Sequence, residues 1–213
     1  MTAVPKAPLP ILRGPLRDVS NRVTLGESAP MAQERIWINP SEVTHIYTRN
    51  PAKTPDFKRR HSGMVIDGDW DTKVEPIDTS WKIAACLAHF RDGTPWAKTG
   101  VYDTMQAMIA DRGQFDSCRS MDDIHARYAK IDALFDDIRT NGYRDETRMK
   151  LGTPRLPEGV FIHIDRHGQP IFGAIGNHRM GIARALGLPR IPAQLGVVHP
   201  DGLAHLPRYR DAA

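Results

Sequence analysis

The sequence predicts an α+β fold: a small mixed β-sheet with a three-helix subdomain inserted between its first and last strands. Three observations support this. Residues 160–164 and 170–172 are short strand-like segments separated by turn residues, as in a hairpin. A helical repeat follows from residue 177, and an apolar strand-like run covers 191–198. Between 78 and 141, three stretches combine helical periodicity with helix-capping residues.

Composition limits the class of protein. The 213 residues suit one domain, or one domain with a large insertion, and a hydrophobic content of 40% supports a core. The net charge of +4 allows an anionic ligand but does not argue for a DNA-binding surface. Cys86 and Cys118 form no Cys-x-x-Cys motif, which favours reduced thiols and a cytoplasmic location. No apolar run approaches the ~20 residues of a membrane span.

The first third of the chain predicts an extended arm followed by the first strands. Residues 1–30 are rich in proline and lack periodicity, so we predict an extended N-terminal arm ahead of a domain over 31–213. Alternation predicts a strand at 36–39, and Pro40-Ser41-Glu42 favours a turn or helix start. The basic segment 47–62 reads either as a solvated loop or as a flap that approaches bound phosphates.

A run of aspartates follows a short predicted strand at 64–67. Asp67, Asp69 and Asp71 occur at every second residue, so an extended loop would point the three carboxylates the same way. Oxygen ligands of this kind suit Mg²⁺ when phosphate completes its coordination. An aspartate-rich turn without a metal is the alternative.

Three helices are predicted for the inserted subdomain over 78–141. The first follows Asp78-Thr79-Ser80 and ends at Gly93, and the second begins at Thr94-Pro95. The third begins after Ser120, with Asp123 three residues on, and stops at Asn141-Gly142. A linker over 144–159 then leads to the hairpin.

The loop before the last helix carries the polar residues of most interest. Gly176 precedes Asn177-His178-Arg179, and Gly187 ends the helix that they begin. The first amides of a helix lack partners and carry partial positive charge, and a glycine before them lets an anion approach the main chain. Arg179 adds a planar guanidinium that suits phosphate oxygens. The alternative is that Asn177 caps the helix and Arg179 pairs with a surface carboxylate.

The run Gly176-x-His178-Arg179, with Ala183, Gly187 and Ile191-Pro192 at fixed spacing, resembles the signature helix of the ParB/sulfiredoxin-like family. The resemblance covers about residues 158–200, with a less specific likeness at 36–43; residues 75–150 match no core element of the family. Sulfiredoxins have a cysteine where this chain has Asn177, and ParB proteins have a more arginine-rich box and a separate DNA-reading domain. The box is most similar to that of the family's free-serine kinases.

The resemblance and the residues together predict a nucleotide- or phosphate-binding protein, and as an extension a Mg²⁺-dependent phosphotransferase or nucleotide hydrolase. The phosphates of ATP, ADP or CTP would bind Gly176, Asn177, His178 and Arg179, with His178 and Arg179 neutralising charge. Asp67, Asp69 and Asp71 would hold Mg²⁺. Glu42 and Asp69 are the candidate catalytic residues for a small hydroxyl-bearing substrate.

Two other functions remain open on the sequence. A non-catalytic module could use the same phosphate site to order a partner surface on the three helices. A ParB-like DNA-binding or nuclease role is disfavoured by the mild charge and by the lack of sequence for a helix-turn-helix domain. The sequence does not define the nucleotide base, the second substrate or the oligomeric state.

Overall fold

The computed structural model describes residues 14–47, 54–150 and 152–210. The chain forms two compact units. The sheet unit comprises Met1–Ile77, Glu146–Gly176 and Arg190–Ala213, and the helical unit comprises Asp78–Asp145 and Asn177–Pro189. The predicted α+β class with a mixed sheet is confirmed.

Within its described residues, the sheet unit contains the strands β1 (Arg35–Ile38), β2 (His45–Tyr47), β3 (Val74–Pro76), β4 (Arg148–Lys150), β5 (Thr153–Arg155), β6 (Val160–Ile164), β7 (Pro170–Phe172) and β8 (Ile191–Val198). Six of them form one sheet in the order β1-β8-β6-β7-β2-β3, and β4 pairs with β5 in a separate hairpin. β6 runs parallel to β8 and β2 parallel to β7, while the other pairs are antiparallel. β6, β7 and β8 are buried along their whole length.

The strands confirm most of the sequence prediction. β6, β7 and β8 have the predicted bounds, and β1 is shifted by one residue. The predicted strand at 64–67 is reduced to a bridge between Val65 and Val198. β2 and β3 were not predicted, because three residues are too few to show a period and neither lies in a predicted hairpin, as β7 does with β6. The predicted linker over 144–159 contains the β4–β5 hairpin.

The predicted N-terminal arm is wrong for Gly14–Leu25, which form helix α1; residues 1–13 lie outside the described part of the chain. The helix is fixed by polar side chains. Arg17 donates to the Arg60 carbonyl at 2.8 Å, Asn21 donates to the Gly63 carbonyl at 2.8 Å, and Asp18 pairs with the buried Arg155 at 2.8 Å. Hydrophobic periodicity does not predict such a helix, because its contacts are made by polar side chains and not by an apolar stripe.

The helical unit contains α2 (Trp81–Cys86), which continues as a wider turn over Leu87–Arg91, α3 (Val101–Arg112), α4 (Met121–Asn141) and α5 (Asn177–Ala185). The predicted capping box of α4 is present: the Ser120 hydroxyl accepts from the Asp123 amide at 3.2 Å, and the Asp123 carboxylate accepts from the Ser120 amide at 3.1 Å. The second helix begins at Val101, later than predicted, after a 3₁₀ turn over Trp96–Lys98. The core includes Cys86, Met105, Ile124, Tyr128, Ile131 and Ile182.

Across the described ranges 14–47, 54–150 and 152–210, the helices are all too short or too polar to cross a bilayer.

Candidate functional site

The loop before α5 is pressed against the start of β6. The Phe161 amide donates to the Ile175 carbonyl at 3.1 Å. Gly176 has φ +88°, and a Cβ atom there would lie 2.9 Å from the Gly159 carbonyl oxygen. Ala174 also has a positive φ, +57°. Gly176 is therefore required by a close backbone approach as well as by its dihedral angle, and the strained Ala174 is of a kind often found at binding sites.

Arg59 brings a cation to the same edge of the sheet unit. Its guanidinium donates to the Gly159 carbonyl at 2.7 Å and to the Gln194 Oε1 at 2.7 Å. The Gly159 carbonyl thus lies between Arg59 and the backbone of Gly176. The basic segment 47–62 was expected to be either a solvated loop or a flap. Arg59 of this segment is held here by these two hydrogen bonds, while residues 48–53 fall outside the described part of the chain.

In the helical unit, α2 and α5 lie side by side and point in the same direction. The Ser80 hydroxyl, just before α2, donates to Asn177 Oδ1 at the start of α5 at 3.2 Å. One turn further on, a Cβ atom on Gly181 would lie 3.6 Å from the Ile83 Cα. The two N-termini therefore meet, and each carries roughly half a positive charge. Ser80 makes no side-chain capping bond to its own helix.

Three charged side chains surround His178, the second residue of α5. The Asp116 carboxylate contacts Lys82 Nζ and lies 3.3 Å from an Arg127 nitrogen, and Arg127 also donates to the Asp116 carbonyl at 3.1 Å. Asp116 and Ser117 occupy the centre of a tight turn with φ of +48° and +66°. Two cations thus share one carboxylate, which leaves one positive charge in excess.

The His178 imidazole is uncharged near neutral pH. Burial, aided by Arg127 and Lys82, lowers its pKa to about 4. Its ring meets the Tyr128 ring edge to face, with 5.9 Å between centroids. Its Nε2 is buried, and within the described ranges no hydrogen-bond partner reaches it. The expectation that His178 neutralises phosphate charge therefore needs correction: at pH 7 it offers a neutral donor or acceptor, and Lys82 and Arg127 supply charge in its surroundings.

The predicted aspartate loop is occupied by an arginine. Arg166 binds the buried Asp71 carboxylate through two side-chain nitrogens, at 2.6 and 2.8 Å, and through its amide at 3.0 Å. It also reaches Asp69 at 3.0 Å. Asp67 lies 3.6 Å from Nε2 of the buried His199. Burial raises the pKa of Asp71, but the hydrogen bonds and charge of Arg166 outweigh it and hold that pKa below its usual value.

This arrangement does not bring the aspartates to the Gly176 loop. Gly176 contacts Val160, the first residue of β6, whereas Arg166 follows Ile164, the last. Four residue steps of a strand span about 13 Å, so the two groups lie at opposite ends of β6. Within residues 14–47, 54–150 and 152–210, three or more His, Cys, Asp or Glu side chains nowhere cluster in a way that could hold a metal ion. The guanidinium already bound to Asp69 and Asp71 would also repel a cation, so Mg²⁺ does not fit there.

Glu42 and Asp69, the candidate catalytic residues, have different partners. Glu42 is exposed on the turn after β1, where its carboxylate lies 3.5 Å from the Asn39 amide nitrogen. The Asp69 side chain is 80% exposed, and its carboxylate pairs with Arg166. Arg179 is half-buried in the first turn of α5.

Sequence reasoning missed Lys82, Asp116 and Arg127. They come from the start of α2, the turn after α3 and the first half of α4, so no local motif joins them. Ser80 was identified as a helix cap, but its contact with Asn177 could not be read from residues 97 positions apart.

Comparison of the chain with protein-family models, with curated proteins and with solved structures gave no significant match. A proposal of function therefore depends on the geometry of the residues described above.

Proposed function

We propose that this chain binds the phosphate groups of a nucleotide at the start of α5, in an α+β domain of the ParB/sulfiredoxin-like type. The observation that carries the proposal is the meeting of two parallel helix N-termini, marked by the 3.2 Å hydrogen bond from Ser80 to Asn177. Gly176 immediately precedes α5 in the chain, as in the family's phosphate-binding box.

The electrostatics favour an anion at this position. Parallel helices place two like partial charges together, and a negative group near each helix start contributes about 0.3–1 kcal/mol. Lys82 and Arg127 exceed Asp116 by one charge, and Arg179 adds a guanidinium in the same turn of α5. A phosphate would offset the repulsion between the helix dipoles and accept hydrogen bonds from these side chains.

Binding is better supported than catalysis. Phosphoryl transfer depends mainly on positioning and charge neutralisation, both of which the start of α5 could supply. A neutral His178 could exchange a proton with a bound phosphate or hydroxyl. The aspartates bind Arg166 and approach His199, and Glu42 pairs with Asn39, so none of them supports the role of a base. A phosphotransferase or nucleotide hydrolase would need Mg²⁺ to arrive with the nucleotide's own phosphates.

The second candidate is a non-catalytic module in which nucleotide binding orders a partner surface. The distance along β6 between the aspartates and Gly176 favours it, because the expected metal-binding aspartates lie at the opposite end of that strand from Gly176. A DNA-binding or nuclease role has less support, since the net charge is only +4.

Calorimetric titration with ATP, ADP and CTP, with and without Mg²⁺, tests the proposal. We expect at least one nucleotide to bind, and Arg179→Ala to weaken that binding tenfold or more. Arg139→Ala is the matched control, because Arg139 is 61% exposed near the far end of α4. Phosphate release separates a hydrolase from a module. If no nucleotide binds, or if both variants bind as the parent does, the site is assigned wrongly.

A further inference from the structure

Asp116 lies where an anionic ligand would be expected. Its carboxylate contacts Lys82 Nζ and lies 3.3 Å from Arg127, and all three charges act on the imidazole of His178 in the first turn of α5. The Lys82 side chain is only 13% exposed, and the Asp116 side chain is 24% exposed. A carboxylate is thus already bound to the two cations that act on His178.

The turn that carries Asp116 holds this carboxylate in place, and its backbone angles are energetically unfavourable for most residues. Asp116 and Ser117 both have left-handed backbone angles, which most residues avoid but which aspartate tolerates comparatively well. Arg127 donates two hydrogen bonds to the turn, one to the Asp116 carbonyl and one to the Asp116 carboxylate. Loss of the carboxylate contacts would leave the turn held by the carbonyl contact and by the backbone bonds between Phe115 and Cys118.

We propose that Asp116 is an internal competitor of the ligand, and that Lys82 and Arg127 bind a second phosphate in its place. This deepens the proposed function and rests on it. One phosphate occupies the joined N-termini of α2 and α5, and the next displaces the Asp116 carboxylate. The ligand class is therefore one with two or more linked phosphates, such as a nucleoside diphosphate or triphosphate. A single phosphate occupies the first position only, and the Asp116 carboxylate stays bound to Lys82 and Arg127.

The effect of Asp116 on affinity can be estimated. By Coulomb's law, a unit negative charge a few ångströms from a bound phosphate weakens binding about tenfold when the effective dielectric constant lies between the values for a protein surface and for bulk water. Asp116→Asn removes this charge but keeps the side-chain shape and the tolerance for the left-handed turn. Lys82→Met keeps an unbranched apolar side chain but removes the ammonium, which lies 5.1 Å from the Trp81 ring centroid and 5.0 Å from the Phe115 ring centroid.

The test is calorimetric titration of the full chain with inorganic phosphate, pyrophosphate and ADP. For the parent protein we expect pyrophosphate and ADP to bind at least tenfold more tightly than phosphate. Asp116→Asn should bind pyrophosphate about tenfold more tightly than the parent, and Lys82→Met at least tenfold more weakly. Asp136→Asn is the matched control: Asp136 is 61% exposed and nine residues beyond Arg127 on α4, about 13 Å away, so the change should stay within about twofold.

The possible results separate the two proposals. If pyrophosphate or ADP binds but Asp116→Asn binds it no more tightly than the parent, the competitor role is refuted while the phosphate site stands. Equal affinities for phosphate and pyrophosphate refute the second position. If no ligand binds any variant, the proposed function fails and the inference with it. Asp116→Gly, which relieves the left-handed turn without a charge, replaces Asp116→Asn if that variant does not fold.

Discussion

Gly181 of α5 lies directly against Cys86 of α2: a Cβ atom on Gly181 would come within 2.6 Å of the Cys86 Cβ. Real Cβ atoms do not approach so closely, so any side chain at position 181 forces the two helices apart. This glycine sets how near the N-termini of α2 and α5 can come, and with them Ser80 and Asn177.

We expect Gly181→Ala to destabilise the protein by about 1–3 kcal/mol, the usual cost of overpacking a core. Helix propensity alone predicts the opposite effect on the free energy of unfolding, because alanine stabilises a helix interior by about 1 kcal/mol relative to glycine. Chemical denaturation measures the free energy of unfolding and decides between them. Ala126→Gly, on the exposed face of α4, calibrates the propensity effect. A stabilised Gly181→Ala variant would show that the helices do not meet as described.

His178 makes stability depend on pH. Its pKa is lowered by burial and by Arg127 and Lys82 to about 4, from an ordinary value near 6.5. Its contribution to stability is therefore full above pH 6.5 and is lost as the pH falls toward 4, by roughly 3 kcal/mol. NMR titration of the imidazole, assigned with His178→Asn, checks the pKa. A phosphate ligand bound beside it should raise that pKa; titration near 6.5 in the free protein would contradict the burial.

Asp71→Asn should remove about 1–3 kcal/mol of stability, because the buried carboxylate accepts three hydrogen bonds from Arg166. The lowered pKa of Asp71 adds a pH dependence: its contribution is present above about pH 4 and is lost as the pH falls through the folded-state pKa. Asp69→Asn is the control, since the exposed Asp69 side chain also meets Arg166 but should matter little. Equal stability of both variants, measured by urea unfolding, would argue against the bidentate pair.

The sequence predicted what depends on local pattern. The apolar runs in the sequence predicted the first and last residues of β6, β7 and β8, and Ser120 with Asp123 indicated the start of α4. β2 and β3 have three residues each and lie outside any predicted hairpin, so they are defined by their hydrogen-bonded neighbours and leave no period to detect. α1 was missed because it is held by Arg17, Asp18 and Asn21 and leaves Val19 and Val23 exposed, the reverse of the usual pattern.

The candidate site was predicted only where the chain is continuous. Gly176 to Arg179 could be identified as a loop that opens a helix. The arginine that meets Asp71 comes from residue 166, and the charges around His178 come from α2, α4 and the turn before α4. Alternating aspartates fit a metal loop and an arginine-binding loop equally well, since spacing alone does not specify the partner.

The most direct test of the phosphate site is an NMR titration of ¹⁵N-labelled protein with pyrophosphate and with ADP. We expect the largest amide shifts together at Trp81 and Lys82, where α2 begins, and at Asn177, His178 and Arg179, where α5 begins. Amides around Asp71 and Arg166, at the far end of β6, should stay unchanged. Shifts confined to the Asp71 loop, or none at either helix start at saturating ligand, would contradict an anion site at these N-termini.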